Sequence, residues 1–92
     1  MAEGTYHATG TPAILLATVG PGVVNAINVV ANAWQDQVPM IFLTGCVDAA
    51  EAESYTHQVF DHTKVIAPIS KASMVAADGA VDVMIDKALA IA

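Results

Sequence analysis

Residues 15–34 read LLATVGPGVVNAINVVANAW and join an apolar run, a glycine–proline–glycine turn and a periodic helix. The apolar run begins earlier, and residues 13–19 (AILLATV) predict a strand buried on both faces, as in a parallel sheet. Residues 22–35 predict a helix because apolar side chains recur at i, i+3, i+4 and i+7, namely Val23, Ala26, Ile27, Val30, Ala33 and Trp34. A second apolar run follows at residues 40–46 (MIFLTGC). Strand, helix and strand joined by short turns form a βαβ unit, so the sequence predicts an α/β fold with a right-handed crossover.

The remainder of the chain gives weaker signals. The start looks like the tail of a helix that ends at Gly10, and residues 49–60 are polar and acidic with some helical tendency. Residues 71–75 (KASMV) predict a short third strand. Residues 79–92 predict a last helix, for which Asp78 is a suitable N-cap.

The composition excludes several classes of function. The 92 residues carry a net charge of -6 with three Lys and no Arg, so no basic surface exists to neutralise phosphates or anionic lipid. Hydrophobic residues make up 55% and charged residues 13%, which predicts that another domain or subunit covers part of the surface. The single cysteine, Cys46, has no internal disulfide partner, which favours a reducing, cytoplasmic location.

The Gly20-Pro21-Gly22 turn follows a strand and precedes a helix, where ligands bind in open α/β sheets. A tight turn with no ligand explains the same residues equally well. A nucleotide-binding βαβ unit is a further alternative, since Asp48 follows the second strand as a ribose-binding acid would. The dinucleotide fingerprint requires a third glycine, however, and Asn25 stands at that position.

Cysteine and histidine side chains offer two other kinds of site. Cys46 and His57 could form a nucleophile pair, although a buried cysteine that acts as a small hydrophobe is the simpler interpretation. His57, Asp61 and His62 could offer metal ligands, but His62 leaves the helical face of the other two and no cysteine pair supports them. We therefore assign no metal-binding residue.

The predicted helix after the turn has an uncharged polar face. Asn25, Asn28, Asn32 and Gln35 share this face, where a solvated helix usually carries Lys and Glu. Amides suit a surface that is buried yet hydrogen-bonded, so Asn25, Asn28 and Asn32 are candidate interface residues. Plain solvent exposure remains the alternative.

Five pieces of the chain together resemble a known family. They are M-A-E-G-x-x-x-A-T-G, GTPAILLATVGPGVVN, ANAWQDQVPMIFLTG, HQVFD and APISK, in this order and at this spacing. They look like the amino-terminal, pyrimidine-binding domain of thiamine-diphosphate-dependent enzymes, in the branch similar to acetolactate synthase. The resemblance implies that residues 1–92 form part of such a domain. The expected fold is a three-layer αβα arrangement with a mostly parallel sheet, truncated at its N-terminal side.

The resemblance also implies which residues meet the cofactor. Gly20, Pro21, Gly22 and Gln58 match family positions that line the thiamine diphosphate cleft between two subunits. His57 and Val59 replace an aromatic residue and an acid of the family, so they are candidates for the substrate side of the cleft. The family holds the diphosphate and its magnesium in another, carboxy-terminal domain.

The resemblance further implies an activity and a limit to it. The enzyme would act on a 2-oxo acid or aldehyde by carboligation or decarboxylation, as a homodimer or tetramer together with its remaining domains. The family's catalytic glutamate would fall upstream of Met1, and Glu3 matches a helix position instead. We therefore expect these 92 residues alone to be an inactive fragment. A non-catalytic dimerisation or binding module is the alternative from another class.

Overall fold

The protein has an α/β fold, seen in a computed structural model that describes residues 1–48, 50–55 and 57–92. The described residues form helices and one pair of parallel strands, and the α/β class is the one that the sequence predicts. The elements in chain order are α1 (Ala2–Thr9), β1 (Ala13–Ala17), α2 (Pro21–Gln35), β2 (Met40–Thr44), α3 (His62–Ile66), a 3-10 turn (Ala67–Ile69) and α4 (Val81–Ile91).

The two strands pair in parallel along their whole length. Ala13 lies opposite Met40 and Ala17 opposite Thr44, with α2 as the crossover between the strands. Both carboxyl ends therefore lie at the same edge of the sheet. The α/β class and the strand–helix–strand order are confirmed, while each strand ends two residues earlier than predicted.

The core is small and forms around α2. Its buried apolar side chains come from α2, the connection to β2, β2 and α3: Val23, Val30, Ala33, Val38, Ile41 and Ile66. The predicted apolar face of α2 is thus confirmed for Val23, Val30 and Ala33. It is wrong for Trp34, which is 46% exposed because it borders an open cavity beside β2.

One face of β1 is open to solvent, so the prediction of a strand buried on both faces is wrong. Ile14 is 56% and Leu16 76% exposed. Residues in register on parallel strands point to the same face, and Leu43, the partner of Leu16, is also exposed. The sheet therefore presents apolar side chains that the described residues leave uncovered.

The segment between β2 and α4 differs most from the sequence prediction. Residues 50–54 form turns and contain no helix, whereas Ala49 and Thr56 lie outside the described residues. Residues 71–75 form no strand and pair with neither strand of the described sheet, so the predicted third strand is wrong. A cavity of about 1010 Å³ lies between these residues, β2 and α4, and strands pair only when about 4.8 Å apart.

The last helix begins later than predicted. Gly79 has φ +78° and Ala80 is the N-cap, with no side-chain capping bond, so Asp78 does not cap the helix. Lys71 instead secures the other end, since its Nζ donates to the carbonyls of Ile91 (3.1 Å) and Ala92 (2.9 Å). None of the described helices is long and apolar enough to cross a membrane.

Candidate functional site

The glycine–proline–glycine turn connects the carboxyl end of β1 to the first turn of α2. Gly20 has φ +65° and ψ −117°, a backbone conformation that side chains disfavour and glycine adopts readily. Pro21 occupies the first helical position, where its missing N–H breaks no helical bond. The Gly20 carbonyl accepts hydrogen bonds from the backbone N–H of Val23 (3.0 Å) and Val24 (3.3 Å), so this residue starts the helix.

Gln58 packs directly on the buried Gly20. A Cβ placed on Gly20 would lie 2.6 Å from the Cβ and 2.9 Å from the Cα of Gln58. Gln58 itself has φ +66°, uncommon for a residue with a side chain. The fold therefore brings together two of the predicted cofactor residues, 38 positions apart, through a contact that only glycine permits.

Gly22 is needed for a different reason. A Cβ at this position would lie 2.5 Å from the Cγ2 of Thr18, which lies two residues before the turn. The backbone of Gly22 is not in the positive-φ region, which within this turn is occupied by Gly20 alone. The steric restriction at Gly22 is thus local, whereas that at Gly20 involves a distant segment.

His62 also contacts the turn, although the sequence analysis named it only as a candidate metal ligand. Its Nε2 accepts the backbone N–H of Gly20 at 3.1 Å in a partly buried position. The ring of Phe60 meets the imidazole edge to face, with centroids 4.7 Å apart. The hydrogen bond between Gly20 and His62 joins residues 42 positions apart, and no local pattern in the sequence could have revealed it.

Asp61 sets the position of His62 because it is the N-cap of α3. Its carboxylate accepts the backbone N–H of Thr63 (3.0 Å) and Lys64 (3.3 Å) and the hydroxyl of Thr63. The Thr63 hydroxyl chiefly, with further help from Lys64, lowers the pKa of Asp61 below its ordinary value of 3.8. A charged carboxylate at this position therefore starts the short helix that carries the histidine.

The remaining candidates occupy exposed positions. His57 and Val59 flank Gln58 in the chain, and both are exposed. Asn25 and Asn28 are exposed on α2, but the Nδ2 of Asn32 donates to Glu3 Oε1 of α1 at 2.6 Å. These assignments to the substrate cleft and to an interface remain predictions.

Two cavities border the site, and His62 lines both of them. The smaller, about 540 Å³, opens at the carboxyl end of β2 and is lined in part by Thr44, Cys46, Asp48, Phe60 and His62. Neither this cavity nor the one between β2 and α4 is lined by Gly20, Pro21, Gly22 or Gln58. The turn and Gln58 thus lie outside both cavities.

The structure bears on two predictions from the sequence, the buried cysteine at Cys46 and the metal ligands among the histidines. Cys46 is exposed at the end of β2, so the interpretation of a buried cysteine is wrong. The strand ends at Thr44, which leaves Cys46 in the solvent-facing segment after it. Among the described residues no three His, Cys, Asp or Glu side chains lie together as metal ligands would.

The chain is similar to a known protein family and to several of its relatives. Residues 1–65 match the family described as thiamine pyrophosphate enzyme, N-terminal TPP binding domain. The chain is 36% identical over 73 residues to the acetolactate synthase isozyme 3 large subunit of Escherichia coli K12, covering 79% of the chain and 13% of that relative. The acetolactate synthase large subunit of Buchnera aphidicola (Acyrthosiphon pisum) is equally similar, with the same coverage.

A eukaryotic relative matches a shorter stretch. The mitochondrial acetolactate synthase catalytic subunit of Saccharomyces cerevisiae is 45% identical over 47 residues, 51% of the chain and 7% of that protein. The chain thus spans about an eighth or less of the length of these relatives. Since the family match covers well over half of its residues, the chain belongs to the thiamine pyrophosphate enzyme family, as part of the N-terminal TPP binding domain.

Proposed function

We propose that this chain supplies the aminopyrimidine side of the thiamine diphosphate cleft in an enzyme that acts on a 2-oxo acid or aldehyde. The observation that carries the proposal is the contact between Gly20 and Gln58 at the carboxyl edge of the parallel strands. Ligands of open α/β sheets bind at this edge. The relatives named acetolactate synthase suggest carboligation of 2-oxo acids as the reaction class.

The residues present fit one wall of such a cleft. Gly20 leaves room for Gln58 to pack closely on the turn, so a ligand at this edge would meet the exposed Gln58 and Pro21. Gln58 is exposed and offers an amide that both donates and accepts hydrogen bonds. When bound, thiamine diphosphate supplies the carbanion-stabilising chemistry of its thiazolium ring. In this proposal Gln58 orients the bound molecules, and Gly20, Pro21 and Gly22 shape the surface on which they lie.

The opposite wall comes from a second subunit in this proposal, and the diphosphate with its magnesium is held by another domain. The turn and Gln58 lie outside both cavities, which is expected for half of a shared cleft. The exposed Ile14 and Leu16 add an apolar surface suited to burial in the assembled enzyme. We place this enzyme in the cytoplasm.

A chimeric enzyme tests the proposal. The matched 73-residue stretch of the Escherichia coli isozyme 3 large subunit would be replaced by the corresponding part of this chain, and acetolactate formation measured. Gln58→Ala keeps the Cβ that packs on Gly20 and removes the Cγ and the amide. We expect kcat/KM to fall at least about tenfold, equivalent to roughly 1.4 kcal/mol of transition-state stabilisation.

Gln37→Ala is the matched control for this variant. Gln37 is also an exposed glutamine with positive φ (+55°), but it lies beyond the far end of α2. We expect its kcat/KM to stay within about twofold of the unsubstituted chimera, since an exposed side chain away from the cleft changes little. Equal losses in the two variants, or none in either, would contradict the placement of Gln58 in the cleft.

The isolated 92 residues should not catalyse the reaction in this proposal, because they span about an eighth of the length of the acetolactate synthase relatives and the proposal assigns the diphosphate and magnesium to another domain. Pyruvate incubated with the pure chain, thiamine diphosphate and magnesium should be consumed no faster than in the absence of protein. Turnover above that background would refute this part of the proposal.

A dimerisation module without catalytic function is the second candidate, and the open sheet face favours it. Leu16 is 76% exposed on this face, next to Ile14. Sedimentation of the chain at tens of micromolar should show self-association, and Leu16→Lys should reduce it. A folded chain that remains monomeric would count against this candidate.

A further inference from the structure

Gly20 makes hydrogen bonds through both its carbonyl and its N–H, and His62, the partner of the N–H, has no role in the proposed function. Its carbonyl accepts the first hydrogen bonds of α2, and its N–H donates to His62 Nε2 at 3.1 Å. We propose that His62 is a positioning residue, whose neutral imidazole fixes the glycine–proline–glycine turn against Gln58. This inference rests on the proposed function, because it concerns the same cleft surface.

The hydrogen bond determines the protonation state of the histidine. A ring nitrogen that accepts a hydrogen bond carries no proton, so Nε2 is bare and the proton of the neutral ring is on Nδ1. In the imidazolium form both nitrogens are donors, and Nε2–H would face the N–H of Gly20. Protonation therefore removes the partner of an N–H in a buried residue, which is unfavourable.

His62 is well placed to transmit this change to the site. The edge of its ring packs on Phe60 and the Asp61 cap orients the start of α3, so the imidazole has a defined position. Gly20 in turn lies within van der Waals contact of Gln58. A shift of Gly20 would consequently move the turn and the predicted cofactor residue Gln58 relative to each other.

Several ionisable groups lie around the histidine. Asp61 and Lys64 belong to the start of α3, with Lys64 Nζ 3.3 Å from Asp61 Oδ2. Asp48 and Cys46, from the segment after β2, line the same cavity as His62. Residues 18–22 of the β1–α2 connection contribute no ionisable side chain. The imidazole that contacts the Gly20 N–H is therefore the group through which a change of charge would act on the turn.

Nuclear magnetic resonance of the uniformly 15N-labelled 92-residue chain tests the bond directly. At about pH 8 we expect a coupling across the hydrogen bond between the Gly20 nitrogen and His62 Nε2, with the proton on Nδ1. Acidification to about pH 5 should abolish the coupling and shift the Gly20 amide resonance. Absence of the coupling at the higher pH, or its persistence at the lower, would overturn the proposal.

Two substitutions separate positioning from packing. His62→Phe keeps a ring next to Phe60 but has no acceptor, whereas His62→Gln provides an amide oxygen that can accept the Gly20 N–H. We expect exchange of the Gly20 amide to be at least about tenfold faster in His62→Phe and nearly unchanged in His62→Gln. Equal exchange in the two variants would overturn the positioning role. If His62→Phe does not fold, the pH response of the Gly20 amide in His62→Gln decides, because it should be absent there.

The chimeric enzyme then shows whether positioning matters to turnover. His62→Phe should lower kcat/KM about five- to tenfold, as expected for one lost hydrogen bond, and His62→Gln should restore most of it. Unchanged turnover in His62→Phe would reject the link to the cleft. An inactive unsubstituted chimera would instead count against the proposed function, and the coupling across the hydrogen bond would still decide whether His62 holds the turn.

Discussion

Two turns of this chain use a glycine with nearly the same φ for different purposes. Gly10 ends α1 with φ +71°, and its N–H donates to the Tyr6 carbonyl at 2.7 Å. A Cβ added there would meet nothing within 4 Å. Gly20 has φ +65°, but a Cβ there would collide with Gln58, and its N–H is bound by His62.

The difference shows how much a sequence motif depends on what the fold brings to it. Gly10 closes its helix by a local, conformational requirement, common at helix ends. Gly20 satisfies a conformational requirement and a packing requirement at once, and the packing partners are 38 and 42 residues away. A turn of the second kind joins distant parts of the molecule, as a site built from several segments requires.

The largest expected effect on the free energy of unfolding is that of Gly20→Ala, and Gly10→Ala is its control. At Gly10 a side chain brings only backbone strain, about 1–2 kcal/mol. At Gly20 the strain of positive φ with ψ −117° adds to a 2.6 Å contact, so we expect a loss of about 3–5 kcal/mol in the free energy of unfolding. Chemical denaturation of both variants measures the difference. Equal losses would mean that Gln58 does not pack on Gly20 in solution.

A smaller effect is expected at Gly22, where the strain is steric and local. Gly22→Ala places a Cβ 2.5 Å from Thr18 Cγ2, and Thr18 is an exposed residue that can adjust. We expect a loss of about 1 kcal/mol, at the low end for an overpacked contact. Thr18→Ser removes the methyl group, so the double variant should recover most of the loss in a double-mutant cycle. Additive effects would show that the contact is absent.

The helix α1, which Gly10 ends, is joined to α2 by a long-range hydrogen bond. Asn32 on α2 donates to Glu3 on α1 at 2.6 Å, but both side chains are near the surface. Asn32→Ala should therefore lower the free energy of unfolding by less than about 1 kcal/mol. Asn28→Ala, an exposed amide on the same helix, is the control. A loss as large as that of Gly20→Ala would mean that the long-range contact of α1 contributes as much to stability as the contacts of Gly20.

The smallest effect is expected from the charge of Asp61, which caps the helix that carries His62. The pKa of Asp61 is lowered in the folded chain, so the charged form stabilises the fold above its ordinary pKa of 3.8. This contribution is lost as the pH falls through the lower folded pKa. Asp61→Asn keeps an N-cap without the charge and should flatten this part of the stability profile below about pH 4. Parallel profiles for the two proteins would contradict the role of the charge.

The parts of the fold that the sequence predicted well are those with strong local patterns. The apolar runs at residues 13–19 and 40–46 predicted parallel strands, and the helical period after Pro21 placed Val23, Val30 and Ala33 in the core. Between β2 and α4, the described residues lack the third strand predicted at residues 71–75 and the helix suggested at residues 49–60. Extended structure there depends on a neighbouring strand, which periodicity alone does not reveal.

The sequence by itself determined the βαβ unit, because hydrophobic period and turn chemistry act within a few residues of each other. It also singled out Gly20, Pro21, Gly22 and Gln58 through a family resemblance. Only the tertiary structure decided that Gly20 contacts Gln58, that His62 accepts the Gly20 N–H and that one sheet face stays open. These are contacts or exposures between segments far apart in the chain, and they depend on how the whole chain packs.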